Sequence, residues 1–147
     1  MRLFTCSAIV LSLLLCVCPR ASLAADRTVK LTVYVEGVNK TGGTIGVYVF
    51  KNEKGWPESK EAAVGRVVVP AHPGTVIVDV PDLPPGDYAV GVGHDSNGNH
   101  RIDKNWLGVP TEQWGMSNNP RAVLKVPAFS RARFSLTQNA DIHIQLH

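Results

Sequence analysis

The sequence predicts an all-β fold, a single antiparallel sandwich of about seven short strands (Ig-like or transthyretin-like) with one long ordered loop. Three observations carry that expectation. Apolar residues alternate with polar ones at a period of two along most of the chain. Turn signals separate these runs at fairly regular intervals, with 13 Gly and 10 Pro among 147 residues. No stretch repeats apolar residues at a helical period over more than about a dozen positions.

The strands follow in order. In Thr28–Glu36, Val29, Leu31, Val33 and Val35 point one way and Thr28, Lys30, Thr32 and Glu36 the other. Ile45, Val47 and Val49 repeat the pattern after the turn Thr41-Gly42-Gly43. Arg66–Val69 and Thr75–Val80 read as two strands around Pro70-Ala71-His72-Pro73-Gly74. Leu83-Pro84-Pro85-Gly86 is a tight turn, since proline presets φ and glycine admits positive φ. It leads into Asp87–His94, with Tyr88, Val90 and Val92 as the inward row. Two closing strands carry Ala132, Phe134 and Leu136, then Ile142, Ile144 and Leu146. Glu53–Val64 reads as a loop with at most one helical turn.

The first 24 residues stand apart. Arg2, the apolar run Ala8–Val17 and the ending Ser22-Leu23-Ala24 have the form of a cleaved secretory signal peptide. The run is too short to cross a hydrocarbon core of about 30 Å, and Pro19-Arg20 interrupts it, so no transmembrane segment is expected after cleavage. Residues 25–147 then form the one mature domain, secreted or periplasmic. All three cysteines (Cys6, Cys16, Cys18) leave with the leader, which removes disulfides, thiol nucleophiles and Cys-bound zinc from consideration. Arg2 and Arg20 leave too, and 13 basic residues then face 12 acidic ones. No basic stripe with interleaved aromatics remains, so nucleic acid is not an expected partner.

Chemistry concentrates in Asp95–Pro127, more than thirty residues of little periodicity between two strands, a length typical of functional loops. Side-chain oxygens recur at Asp95, Asn97, Asn99 and Asp103, with the carbonyl of Arg101 between them. These are positions 1, 3, 5, 9 and 7 of an EF-hand-type calcium loop, in which alternate residues turn hard oxygen ligands onto one hard cation. Ile102 is the apolar residue that pins such a loop. Two features depart from the pattern: His100 stands where glycine takes the left-handed turn, and position 12 is Trp106, leaving Glu112 or Asn105 to supply a further ligand. The expected cofactor is therefore Ca2+ held weakly, with a Kd of roughly 10⁻⁴–10⁻³ M. The competing reading is an Asx-rich turn satisfied by its own backbone.

The runs His94-Asp95-Ser96-Asn97-Gly98-Asn99, Leu107-Gly108-Val109-Pro110-Thr111-Glu112 and Gly115-Met116-Ser117-Asn118-Asn119, with Asp103 between them, resemble the bacterial secreted family called domain of unknown function 2141. Leu83-Pro84-Pro85-Gly86-Asp87-Tyr88 looks like its turn and strand as well. His100 replaces the family's usual Gly and Met116 its usual Phe. The resemblance implies a secreted β-sandwich, transthyretin-like or carboxypeptidase-regulatory-like, and no particular activity.

Two functional readings follow. One is a non-catalytic accessory or binding module at the cell envelope, with a carbohydrate or an envelope protein as ligand. Trp114 is then the tryptophan expected to be exposed, with Asn118, Asn119 and Arg121 as its polar rim. In the alternative, which is the favoured one, Trp56, Trp106 and Trp114 all cap the sandwich core with their indole N–H groups satisfied. The other is a hydrolase-type enzyme with its site in the 94–119 loop, built on His94, Asp95 and Glu112. The sequence lacks a Gly-x-Ser-x-Gly elbow, and its histidines are scattered.

Overall fold

The computed structural model describes residues 27–121 and 125–147. The proposed leader, residues 1–24, lies outside the described residues. Among the described residues no helix is long and apolar enough to cross a membrane.

Eight strands are described: β1 (Val29–Val38), β2 (Thr44–Phe50), β3 (Gly65–Pro70), β4 (Gly74–Leu83), β5 (Gly86–Asp95), β6 (Trp114–Met116), β7 (Phe134–Leu136) and β8 (Ala140–Gln145). They form two sheets. One runs β4-β1-β8; the other runs β3-β2-β5-β6, with β7 pairing the start of β5. The core lies between them. Leu31, Val33, Val35, Val78 and Ile144 from the first sheet meet Ile45, Val47, Val49, Tyr88, Val90 and Leu136 from the second, all essentially without solvent contact. These are the inward rows that the alternation predicts, because side chains on a pleated strand change face at every residue.

Three features differ from expectation. The sheets are not wholly antiparallel: β8 lies parallel to β1, with Val33 opposite Ile142 and Val35 opposite Ile144. Alternation is the same for either direction, so it carries no information on this point. A three-residue strand, β6, sits inside the long loop, where three residues are too few to show a period. Ala132 belongs to a short helix α1 (Phe129–Ala132), preceding β7 rather than starting it. In Glu53–Val64 the single turn of helix is a 3-10 turn at Lys60–Ala62.

A second apolar cluster covers the outer face of the larger sheet. Phe50, Ala89, Met116, Phe129 and Ala132 are buried there, with Tyr48, Trp56 and Trp114 packed against them. Trp56 meets Phe50 and Phe129 edge to face at 5.2 and 5.8 Å, and its Nε1 donates to Pro127 O at 2.9 Å. Trp56 thus caps a core, as expected, but the outer one. The strand β5 is consequently buried on both faces from Tyr88 to Asp95. At the far edge the chain end stitches the sheets together: His147 N donates to Trp114 O and Leu146 N to Glu36 O. Gly115 is required at this crossing, where a Cβ would come within 2.6 Å of Gln145 O and 2.8 Å of Ile144 Cγ2.

Candidate functional site

The loop following β5 is ordered by its own acidic and amide side chains. Asp95, only 8% exposed, accepts from Gly98 N (2.8 Å) and Asn99 N (3.1 Å) through Oδ1 and from His100 N (2.7 Å) through Oδ2. One carboxylate therefore closes the turn 95–100. His100 takes the left-handed conformation of the usual glycine, with φ of 64°. Asn97 Oδ1 accepts from Asn99 N and Asn99 Oδ1 from Arg101 N, continuing the local turns. Both amide nitrogens converge on Asp103, Asn97 Nδ2 to Oδ2 at 2.7 Å and Asn99 Nδ2 to Oδ1 at 2.8 Å. The Arg101 guanidinium approaches the same carboxylate at 3.9 Å.

Glu112, likewise 8% exposed, clamps the two ends of this loop. Its Oε1 accepts from Ser96 N (2.8 Å) and Ser96 Oγ (2.7 Å), and its Oε2 from Asp103 N (3.1 Å). Thr111 N donates to Asp103 O alongside it. The structure thus brings Asp95, Asn97, Asn99, Arg101, Asp103 and Glu112 into one connected network. Among the described residues, no three His, Asp or Glu side chains gather around a common metal-sized space.

His94 and Asp95 are adjacent in sequence but diverge, because neighbouring residues on a strand face opposite ways. The His94 ring is buried, 1% exposed, and its Nε2 is 2.9 Å from Gly42 O. A carbonyl can only accept, so Nε2 carries the proton. This is the satisfied rim histidine of a core row, and it shares no hydrogen bond with Asp95 or Glu112.

The tryptophans change places relative to the sequence expectation. Trp106 is the exposed one, at 91%, on the tip of a turn that Asn105 braces through Leu107 N and Val109 N. Trp114 is half-buried, because β6 sets it opposite Gly93 on the outer face of the sheet. Asn118 and Asn119, both at positive φ, spend their side chains on backbone. Asn118 Nδ2 donates to Arg133 O at 2.9 Å; Asn119 Nδ2 donates to His143 O and Asn119 Oδ1 accepts from Gln145 N. They tie the turn after β6 to β8 and the end of α1, and they do not line the space beside Trp114.

That space is a groove of about 540 Å³ on the outer face of the larger sheet. Its floor is Gly91 and Gly93 of β5. Tyr48 stands on one side, in register with Gly91, and Trp114 on the other, in register with Gly93. Ile102 pins the 95–112 loop to this face: a Cβ on Gly93 would lie 2.4 Å from its Cδ1. The loop is therefore anchored on the outside of β5 and walls the groove with Arg101, Asp103 and Lys104. Lys104 pairs with Glu58 at 2.5 Å, while Lys60 lies 5.3 Å from the Tyr48 ring centre and donates to His100 O. The alternation Ala89, Gly91, Gly93 with Gly46 beside it is the sequence signal for this hollow, legible as a row of small residues facing outward.

A two-sheet β-sandwich carrying one Asx-stapled loop over a small-residue sheet face is the class of protein these features define. Its family is shown by residues 33–145, which match the model described as "Uncharacterized protein conserved in bacteria (DUF2141)". The chain belongs to that family. No curated protein and no solved structure matches it.

Proposed function

We propose that the protein is a non-catalytic binding module of the bacterial cell envelope, exported by the cleaved leader 1–24. In this reading its 95–112 loop takes up calcium weakly and so stiffens one wall of the groove. The observation that carries the reading is the convergence of Asn97, Asn99 and Asp103. Two side-chain amides contact the two oxygens of one carboxylate at 2.7 and 2.8 Å. A cation at Asp103 would replace these two amide donors on the carboxylate oxygens, while the amide oxygens keep accepting from Asn99 N and Arg101 N. One carboxylate supplemented by neutral oxygens suits a millimolar rather than a micromolar site. Calcium also fits better than magnesium, which demands stricter octahedral geometry and keeps its water. The opposed directions of His94 and Asp95 favour a binding role over hydrolysis, since general acid–base work needs those groups within hydrogen-bond reach of one reacting atom.

Thermal unfolding with calcium and with chelator tests this. At tenfold excess over Kd, calcium contributes about 1.4 kcal/mol, a Tm rise of a few degrees. Asp103→Asn abolishes the rise, and magnesium at the same concentration gives a smaller one. An identical Tm in calcium and chelator overturns the calcium assignment.

A further inference from the structure

We propose that Asn97-Gly98 is a self-modification site, at which the Gly98 backbone nitrogen displaces ammonia from the Asn97 side chain and water then leaves a carboxylate. The folded loop holds this reaction back through Asp95 and Asp103. The proposal rests on neither the binding role nor the calcium ion.

The chemistry is set by two adjacent residues. Among the asparagines of the chain, Asn97 is the one followed by glycine. A glycine nitrogen reaches the carbonyl carbon of the preceding side chain with least hindrance, because no Cβ crowds the approach and the backbone turns freely. A bond from Gly98 N to Asn97 Cγ closes a cyclic imide. The Cγ–Nδ2 bond breaks, Gly98 N gives up its proton, and the side-chain nitrogen leaves as ammonia. Water then opens the imide at either carbonyl, which gives aspartate or isoaspartate at position 97. Water is the one co-reactant, and it reaches both residues because both are exposed.

The restraint comes from the fold. Gly98 N donates to Asp95 Oδ1 at 2.8 Å. The attacking nitrogen must shed that proton, and the adjacent carboxylate opposes the negative charge left behind. The leaving nitrogen, Asn97 Nδ2, is held by Asp103 Oδ2 at 2.7 Å. One contact works the other way: Asn97 Oδ1 accepts from Asn99 N at 3.0 Å, which stabilises the oxyanion that forms as Cγ is attacked. The electrophile is thus readied while nucleophile and leaving group are restrained, and the two carboxylates decide the rate. Asp95 is only 8% exposed and also holds Asn99 N and His100 N, so the restraint lasts as long as the turn stays closed. The product undoes this arrangement. A carboxylate at position 97 faces Asp103 where an amide donated, and the like charges part. Since ammonia departs, the loss of this link is permanent.

Peptide-mapping mass spectrometry tests the proposal on the full mature chain, kept in chelator at mildly alkaline pH, once native and once unfolded in guanidinium chloride. In the unfolded chain the acid form is expected at position 97 ahead of every other asparagine. In the native chain it is expected to form at least tenfold more slowly. Asp95→Asn keeps an acceptor but removes its charge, and is expected to speed the native reaction at least threefold. Once position 97 has been converted, hydrogen exchange across 95–103 is expected to quicken. No conversion at position 97 in the unfolded chain overturns the proposal. So do equal rates in the native and unfolded chains, or a folded Asp95→Asn protein that reacts at the unaltered rate. If Asp95→Asn does not fold, the native and unfolded rates of the unaltered chain decide the matter alone.

Discussion

The two faces of β5 are made by alternate residues of one strand, yet they are built on opposite principles. Inward, Tyr88, Val90, Val92 and His94 fill the space between the sheets with bulk. Outward, Ala89, Gly91, Gly93 and Asp95 offer almost no bulk, and the volume is supplied from elsewhere by Trp56, Phe129, Ile102 and Trp114. The inner face gains stability from the burial of its own side chains. The outer face is a seat on which distant segments rest, and part of it is left open as the groove. One strand thus fills the core with one face and lines a groove with the other.

The largest expected effect breaks the inner face alone. Tyr88 is among the largest fully buried side chains, and its hydroxyl donates to Pro84 O at 2.6 Å. Tyr88→Ala should cost about 3–5 kcal/mol, as large-to-small aromatic changes in cores do, read as a lowered urea midpoint. An effect under about 1 kcal/mol would mean that the inner row does not carry the stability assigned to it.

Next, Glu112→Ala removes the clamp on the outer loop without touching the inner row. The amides of Ser96 and Asp103 lose their acceptor, at a cost of about 1–3 kcal/mol. Hydrogen exchange should quicken at those amides and across 95–112 while the amides of Val90 and Val92 stay protected. Uniform acceleration would show that the two faces open together.

A pair of glycine substitutions separates seat from hollow. Gly93→Ala collides with Ile102 at 2.4 Å, so the loop shifts and about 1 kcal/mol is lost. Gly91→Ala meets nothing closer than 3.6 Å and should change stability by less than about 0.5 kcal/mol. Equal losses, compared by thermal melts, would contradict the distinction.

The smallest effect is a pH dependence confined to the inner face. Burial raises the Tyr88 phenol above its ordinary value. The unfolded chain therefore releases this proton first as pH climbs, and the stabilising contribution, complete below about pH 10, declines above it. Tyr88→Phe should flatten that part of the stability–pH curve. An unchanged slope would assign the alkaline loss to other groups.

Legibility in the sequence follows the same division. Val29, Leu31, Val33 and Val35 announce their face because a half-buried strand must alternate, and the structure buries all four. Asp95, Asn97 and Asn99 announce a turn because side-chain oxygens at every second position reach neighbouring backbone N–H groups, as they do here. Phe50, Trp56 and Phe129 carry no local signal of their union, since they come from three separate segments. The exchange of Trp106 and Trp114 has the same origin. A tryptophan's exposure depends on what stands opposite it, and Gly93 stands opposite Trp114 only once β6 has paired with β5.

The sequence by itself determined the all-β class, the inward rows, the tight turns and the family, for these depend on neighbours within a few residues or on the motif as written. Only the tertiary structure decided that β8 runs parallel to β1 and that a second core covers the outer sheet. It also decided that Glu112 closes the loop and that a trough lies between Tyr48 and Trp114. Each of these is a meeting of segments far apart in the chain, fixed by sheet pairing and packing rather than by local preference.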